Sequence, residues 1–181
     1  MASWDELLER NRKYSETKHE PESYISELAQ PPPSIFILSC IDFRVPVEQL
    51  LDIKTKDAFI IRNAGARVKS SFTDLLFIEN FTQEQAVKNV IVIHHTDCGF
   101  THNTDENVKN GLKEKAPHLA KEIDQLYFGT YGGSDLLEES VREDLKFLKA
   151  SPLIRQEIKD NAKGYVYDIK SGKLNPVAYE G

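Results

Sequence analysis

Three short apolar runs, "SIFILSC" (34–40), "DAFIIRN" (57–63) and "NVIVIHH" (89–95), alternate along this chain with stretches of helical spacing. A run that is apolar at successive positions suits a strand buried on both faces, which is how parallel sheets are built. Between the runs lie "PVEQLLDI" (46–53), with a proline suited to a first helical turn, and "SFTDLLFIENFTQEQ" (71–85), periodic through Phe72, Leu75, Leu76, Ile78 and Phe81. The alternation predicts an α/β fold with a mainly parallel central β-sheet covered by helices on both faces. A helix is expected over "SDLLEESVREDLKFLK" (134–149) with Ser134 as its cap. The segments "KGYVYDI" (163–169) and "LNPVAY" (174–179), joined by "KSGK", read as a closing hairpin. The sheet is therefore expected to be mostly parallel, with an antiparallel pair at one edge.

Ahead of this domain, "SWDELLERNRKYSE" reads as a helix capped by Ser3, with Glu6 three residues on and a narrow stripe of Trp4, Leu7 and Leu8. So narrow a stripe is expected to lie on a partner surface or to wrap its own domain. "PESYISEL" (21–28) reads as a second short helix, stopped by "PPPS" (31–34). The expected organisation is a single domain of 34–181 preceded by a helical arm, 1–33.

A net charge of −6 and a pI near 5.4 leave no basic face for nucleic acid. No apolar run approaches the roughly 20 residues that span a bilayer. The N-terminus lacks the apolar core of a signal peptide, and two distant cysteines are too few for a disulfide scaffold. A reducing cytoplasm is the expected compartment.

In open α/β sheets, ligands sit outside the carboxyl ends of the strands. Cys40, Asn63 and His95 end the three apolar runs, so their side chains converge on one rim. Cys98 stands three residues after His95, a spacing at which two side chains grip one metal, and Cys40 is available as a third donor. Two thiolates and one imidazole form a Cys₂His set that leaves the fourth zinc position open to water. Thiolates neutralise the ion, so such a water is less acidic than on a His₃ site unless a cation or hydrogen bonds offset that. From spacing alone, inert core thiols, a thiolate nucleophile and a redox pair stay open beside metal ligation. His94 is a rival ligand, but neighbours on a strand face opposite ways, so His94 and His95 do not both serve one site. His102 and His118 lie in polar stretches and read as surface histidines; His19 carries no signal. Asp42 and Arg44, two apart, share a side of an extended chain. They read equally as an oriented carboxylate beside the metal or as an exposed ion pair worth at most about 1 kcal/mol.

"CIDFR" (40–44), "IRNAG" (61–65) and "HHTDCG" (94–99) together resemble, in order and spacing, the motifs of β-class carbonic anhydrases. The resemblance covers most of the chain and implies an α/β sheet of about four parallel strands plus an antiparallel edge strand. It implies one Zn²⁺ per subunit on Cys40, His95 and Cys98, an Asp42–Arg44 dyad, and zinc-bound hydroxide attacking carbon dioxide to give bicarbonate. It also implies a homodimer or dimer of dimers, embraced by the N-terminal arm. Gly65 and Gly99 are expected where backbone approaches substrate, and Phe43 in the pocket. Phe43 stands where the family usually has a small Ser or Ala, and Phe100 and His94 where many members carry glycine. The chain is also short, like the compact branch that includes carbonyl sulfide hydrolases. Carbonyl sulfide hydrolysis on the same zinc is therefore the first alternative. A non-catalytic zinc or bicarbonate-binding module, closed by Asp42 as fourth ligand, is the second. A thiolate hydrolase using Cys98 is the third.

Overall fold

The computed structural model describes residues 1–24, 27, 31–82 and 86–179. Packing divides the chain into two compact units, Met1–Pro31 and Pro32–Gly181. The first contains helix α1, Trp4–Thr17. The Ser3 hydroxyl accepts from the Glu6 amide, and the Glu6 carboxylate accepts from the Ser3 amide at 2.7 Å, so two donors of the first turn are satisfied reciprocally. No residue of α1 is buried, and Trp4, Leu7 and Leu8 are exposed. The helix expected within 21–28 falls in part on 25, 26 and 28, which lie outside the described residues.

The second unit is built on a sheet of order β2-β1-β3-β4-β5. Its strands are β1 (Ile35–Cys40), β2 (Phe59–Asn63), β3 (Asn89–His95), β4 (Lys163–Tyr167) and β5 (Leu174–Val177). The first four in that order are mutually parallel, and β5 joins β4 antiparallel. The fold is thus the expected mainly parallel α/β sheet with one antiparallel edge. β1 and β3 lie inside the sheet and are almost wholly buried, as their uninterrupted apolar runs require.

Helices α3 (Phe72–Phe81), α6 (Leu137–Ala150) and α7 (Gln156–Asn161) contribute to the larger core. There Leu75, Val141, Leu145, Leu148 and Ile158 meet Phe36, Leu38, Val90 and Val92. Burying each such side chain stabilises the fold by roughly 1.5–3 kcal/mol. α6 comes so close to β4 that a Cβ on Gly164 would overlap Val141 and lie 3.1 Å from Leu145. A smaller cluster, Ile37, Val45, Val47, Ile93 and Tyr167, covers the other face with the one-turn α2 (Val47–Leu50).

Several expected helix limits move. α2 is shorter than 46–53, with Pro46 at its cap; Asp52 and Lys56, at φ +49° and +75°, turn the chain away. α3 stops at Phe81, where the Thr82 hydroxyl donates back to the Ile78 carbonyl at 2.8 Å; residues 83–85 lie outside the described ones. Ser134 does not cap α6. Gly132, at φ +80°, and the turn after it delay the helix until Leu137, so that Leu137, Val141, Asp144, Leu145 and Leu148 form its buried stripe. The remaining described α-helices are α4 (Asp105–Lys115) and α5 (Ala120–Asp124). No helix among the described residues is long and apolar enough to cross a membrane.

Candidate metal centre

Cys40 closes β1 and His95 closes β3, at the same end of the parallel sheet. A turn through Asp97, at φ +56°, then brings Cys98 back to that rim. Aspartate tolerates this left-handed conformation better than most residues. The Thr101 amide and hydroxyl both donate to the Cys98 carbonyl, at 2.9 and 2.7 Å, and fix the loop. One donor atom from each of Cys40, His95 and Cys98 lies within 4.8 Å of the other two, and all three residues are buried.

The trio fits a divalent zinc. The His95 ring faces the Thr96 carbonyl through Nδ1 at 3.0 Å, which assigns the proton to Nδ1 and leaves a lone pair on Nε2. That Nε2 is buried and has no hydrogen-bond partner, a costly state unless a cation occupies the space before it. Zinc bound tetrahedrally to two thiolates holds the sulfurs about 3.8 Å apart; here they are 3.9 Å apart. Both cysteines are free. The Cys98 thiol, by hydrogen bonding, drives Cys40 toward the thiolate against the cost of burial, helped by His95 and by the amides of Asp42 and Gly65. The same bond, with burial, holds Cys98 protonated. A divalent cation would take the place of that shared proton, with Cys40 and Cys98 holding it as thiolates.

Beside the trio, the Asp42 carboxylate is gripped by Arg44. Arg44 Nη2 donates to Oδ2 at 2.7 Å, Nε to Oδ1 at 3.0 Å, and the Arg44 amide to Oδ1 at 2.9 Å. These bonds from Arg44 lower the Asp42 pKa to about 2. Asp42 Oδ2 stands 3.8 Å from His95 Nε2, so the pair adjoins the metal cluster rather than forming an isolated surface bridge. Two residues that the sequence reading passed over complete this corner. Asp97 accepts from Arg44 through its carboxylate at 2.7 Å and its carbonyl at 2.8 Å. Arg62 donates to the carbonyls of Cys40, Asp42 and Val45, at 3.1, 2.8 and 2.9 Å, and so shapes the whole 40–45 loop. Its sequence signal was a lone charge in "FIIRN": a cation in an otherwise apolar strand needs partners.

A cavity of about 190 Å³ opens onto Cys40, Asp42 and Cys98, with Ile41, Ala64, Gly65, Gly99 and Phe100 around it. It is smaller than pockets that hold drug-sized ligands. Gly65 and Gly99 line it, and Phe43 does not. Phe43 is 89% exposed at the outer corner of a turn, closed by the Val45 amide on the Asp42 carbonyl at 3.0 Å. Phe100 supplies the aromatic wall instead. His94 points to the opposite side, with Nδ1 2.8 Å from Ser140 Oγ and Nε2 3.1 Å from Asp144 Oδ2. His102 is on the surface, 2.9 Å from Asp97, and His19 and His118 are exposed. A larger cleft of about 640 Å³, between the start of α6 and β4, holds none of the expected site residues.

The family model for carbonic anhydrase matches residues 35–174, a span containing every one of these site residues. The chain belongs to the β-carbonic anhydrase family. β-Carbonic anhydrase 1 of Mycobacterium tuberculosis is 29% identical over 178 residues, covering 98% of this chain and 99% of that protein. A carbon disulfide hydrolase of Acidianus sp. is 30% identical over 158 residues, covering 77% of this chain and 75% of its own length. Among solved structures, the carbonic anhydrase of Streptococcus mutans superposes with a TM-score of 0.78 at 29% identity, over 98% of this chain and 99% of that one. A β-carbonic anhydrase fold thus carries a Cys-His-Cys cluster at the C-terminal rim of its sheet.

Proposed function

We propose that this chain is a zinc-dependent hydratase that converts carbon dioxide and water to bicarbonate and a proton. The observation that carries the reading is the buried, unpartnered Nε2 of His95 facing two thiols at zinc-ligand spacing. Cys40, His95 and Cys98 are the residues that would hold one zinc per subunit. Zinc on three protein ligands supplies an acidified water, with a pKa lowered toward about 7, as the nucleophile. Asp42 is an ionised acceptor at working pH and orients that nucleophile by taking its hydrogen bond. Arg44, anchored in turn on Asp97, keeps Asp42 from swinging inward as a fourth ligand, which disfavours the closed, non-catalytic module. Ile41 and Phe100 narrow the approach to a slot suited to a small linear molecule and limit entry of bulk water. A Cys98 thiolate hydrolase would need no metal, so activity that survives chelation and is abolished by alkylation of a cysteine would favour it instead.

Two observations favour a second reading, hydrolysis of carbonyl sulfide to carbon dioxide and hydrogen sulfide on the same zinc. The pocket wall is apolar at Ile41 and Phe100, and a relative at 30% identity is a carbon disulfide hydrolase. Turnover of the two gases on one zinc-quantified sample decides between them. We expect the larger kcat/KM for carbon dioxide; zinc-replete protein that turns over only carbonyl sulfide would reverse the order, and no turnover of either gas would end both readings.

The exposed Trp4, Leu7 and Leu8 support a role for the 1–33 arm in holding a homodimer or dimer of dimers, with 34–181 carrying the chemistry. Removal of residues 1–20 is expected to weaken self-association in sedimentation experiments, and an unaltered assembly would refute that role.

A further inference from the structure

Tyr131 lies in "GTYGGSD", remote in sequence from every metal-ligand candidate, yet its ring joins three pieces of the site. Its hydroxyl donates to the carbonyl of Gly65. Its amide donates to the Phe100 carbonyl at 2.9 Å, and its ring meets the Phe100 ring edge-on at 5.7 Å. Gly65 and Phe100 both border the pocket. On its other face, Tyr131 stacks on the His94 imidazole at 4.8 Å and 10°. His94 is itself pinned between Ser140 and Asp144 of α6, and Asp144 also accepts the Val68 amide at 2.9 Å.

A phenyl ring would fill this space and make the same stack. The buried hydroxyl adds one thing, a fixed donor to Gly65. A hydroxyl is costly to bury without a partner, so its presence in the core calls for a reason beyond packing. Gly65 sits in a left-handed conformation, φ +72°, where a Cβ would overlap the Phe100 ring. Gly65 borders the same small cavity as Cys40 and Cys98. Its carbonyl is thus tied to Tyr131 while its backbone adjoins two metal-ligand candidates.

We infer that Tyr131 is a positioning residue of the metal centre: by holding the Gly65 carbonyl it fixes the loop that borders Cys40 and sets the pocket width against Phe100. The inference rests on the reading of the trio as a zinc hydratase site. Backbone held close beside a ligating sulfur tunes the charge on that sulfur, and with it the Lewis acidity of the metal.

The test uses full-length Tyr131→Phe, loaded with zinc for kinetics and with cobalt(II) for spectroscopy, beside Tyr165→Phe as a hydroxyl deletion on β4 outside the pocket. Tyr131→Phe is expected to keep one metal per chain, shift the sulfur-to-cobalt charge-transfer band, and lower kcat/KM for carbon dioxide about tenfold, chiefly through kcat (about 1.4 kcal/mol). Tyr165→Phe is expected to match wild type in both. A wild-type band with wild-type kcat/KM in Tyr131→Phe overturns the inference. So does a loss of activity that is matched by lost metal, since the residue is then merely structural. If Tyr131→Phe does not fold, Tyr131→3-fluorotyrosine keeps the ring and changes the donor strength. Band and rate must then move together, and their identity with wild type overturns the inference. Should wild-type protein not hydrate carbon dioxide, the functional reading fails, while the cobalt band still decides whether Tyr131 acts on the sulfur.

Discussion

His94 and His95 are neighbours on one strand, neither has exposed surface, and their surroundings are opposite in kind. His94 has a partner on each ring nitrogen, Ser140 and Asp144. Burial lowers its pKa, against the opposing pull of Asp144, so the ring sits neutral within a closed network. His95 has a partner on one nitrogen only, and the other looks into a space bounded by two thiols. Residue type and burial therefore do not separate a structural histidine from a metal ligand. What separates them is whether the hydrogen-bonding capacity of the ring is used up within the protein.

Substituting the two histidines in turn tests that distinction. The largest effect is expected from His95→Ala: stoichiometric zinc is lost and turnover falls by more than about a hundredfold, beyond the cost of losing an outer hydrogen-bond partner. Full zinc occupancy in that variant, measured by elemental analysis, would erase the contrast. Asp42→Asn comes next. It is expected to keep its zinc and lose roughly 10²–10⁴-fold in kcat, because an amide cannot accept and orient in the same way. An unchanged kcat would remove the dyad from the chemistry. Because Arg44 holds the wild-type Asp42 pKa near about 2, this carboxylate stays charged as pH falls from neutrality toward 3. Activity lost on acidification is therefore expected to track release of zinc as the ligands protonate, followed by parallel metal and rate measurements. The smallest effect on metal is expected from His94→Ala. Its zinc content stays at wild type while stability falls by about 1–3 kcal/mol, since Asp144 and Ser140 lose a buried partner. For a chain of this size that is a fall in Tm of roughly 2–4 °C per kcal/mol. Loss of zinc in His94→Ala would show that the two neighbours are not as distinct as their hydrogen bonds suggest.

The contrast between the histidines also marks how far the sequence could be read. The strand ends were legible because the apolar runs break off at Cys40, Asn63 and His95, where the sheet itself ends. Strand alternation placed His94 and His95 on different sides, and the motif spacing brought Cys98 to the same rim. Phe43 misled because a turn at Asp42–Val45 carries it outward, and local sequence does not fix which way such a corner points. Its place beside the pocket is taken by Phe100. Ser134 misled because two glycines postpone the helix that its side chain was expected to cap. Asp97 and Tyr131 were missed for another reason: their decisive partners, Arg44 and Gly65, are 53 and 66 residues away along the chain. Contacts at that range are set by the assembled sheet, and no local pattern announces them.

X-ray absorption at the zinc edge of the purified, metal-quantified protein tests the central claim most directly. One zinc per chain, bound by two sulfurs, one imidazole nitrogen and one light exchangeable ligand, is the predicted result. A folded and active protein without stoichiometric zinc, or a zinc whose ligands include fewer than two sulfurs, would contradict it.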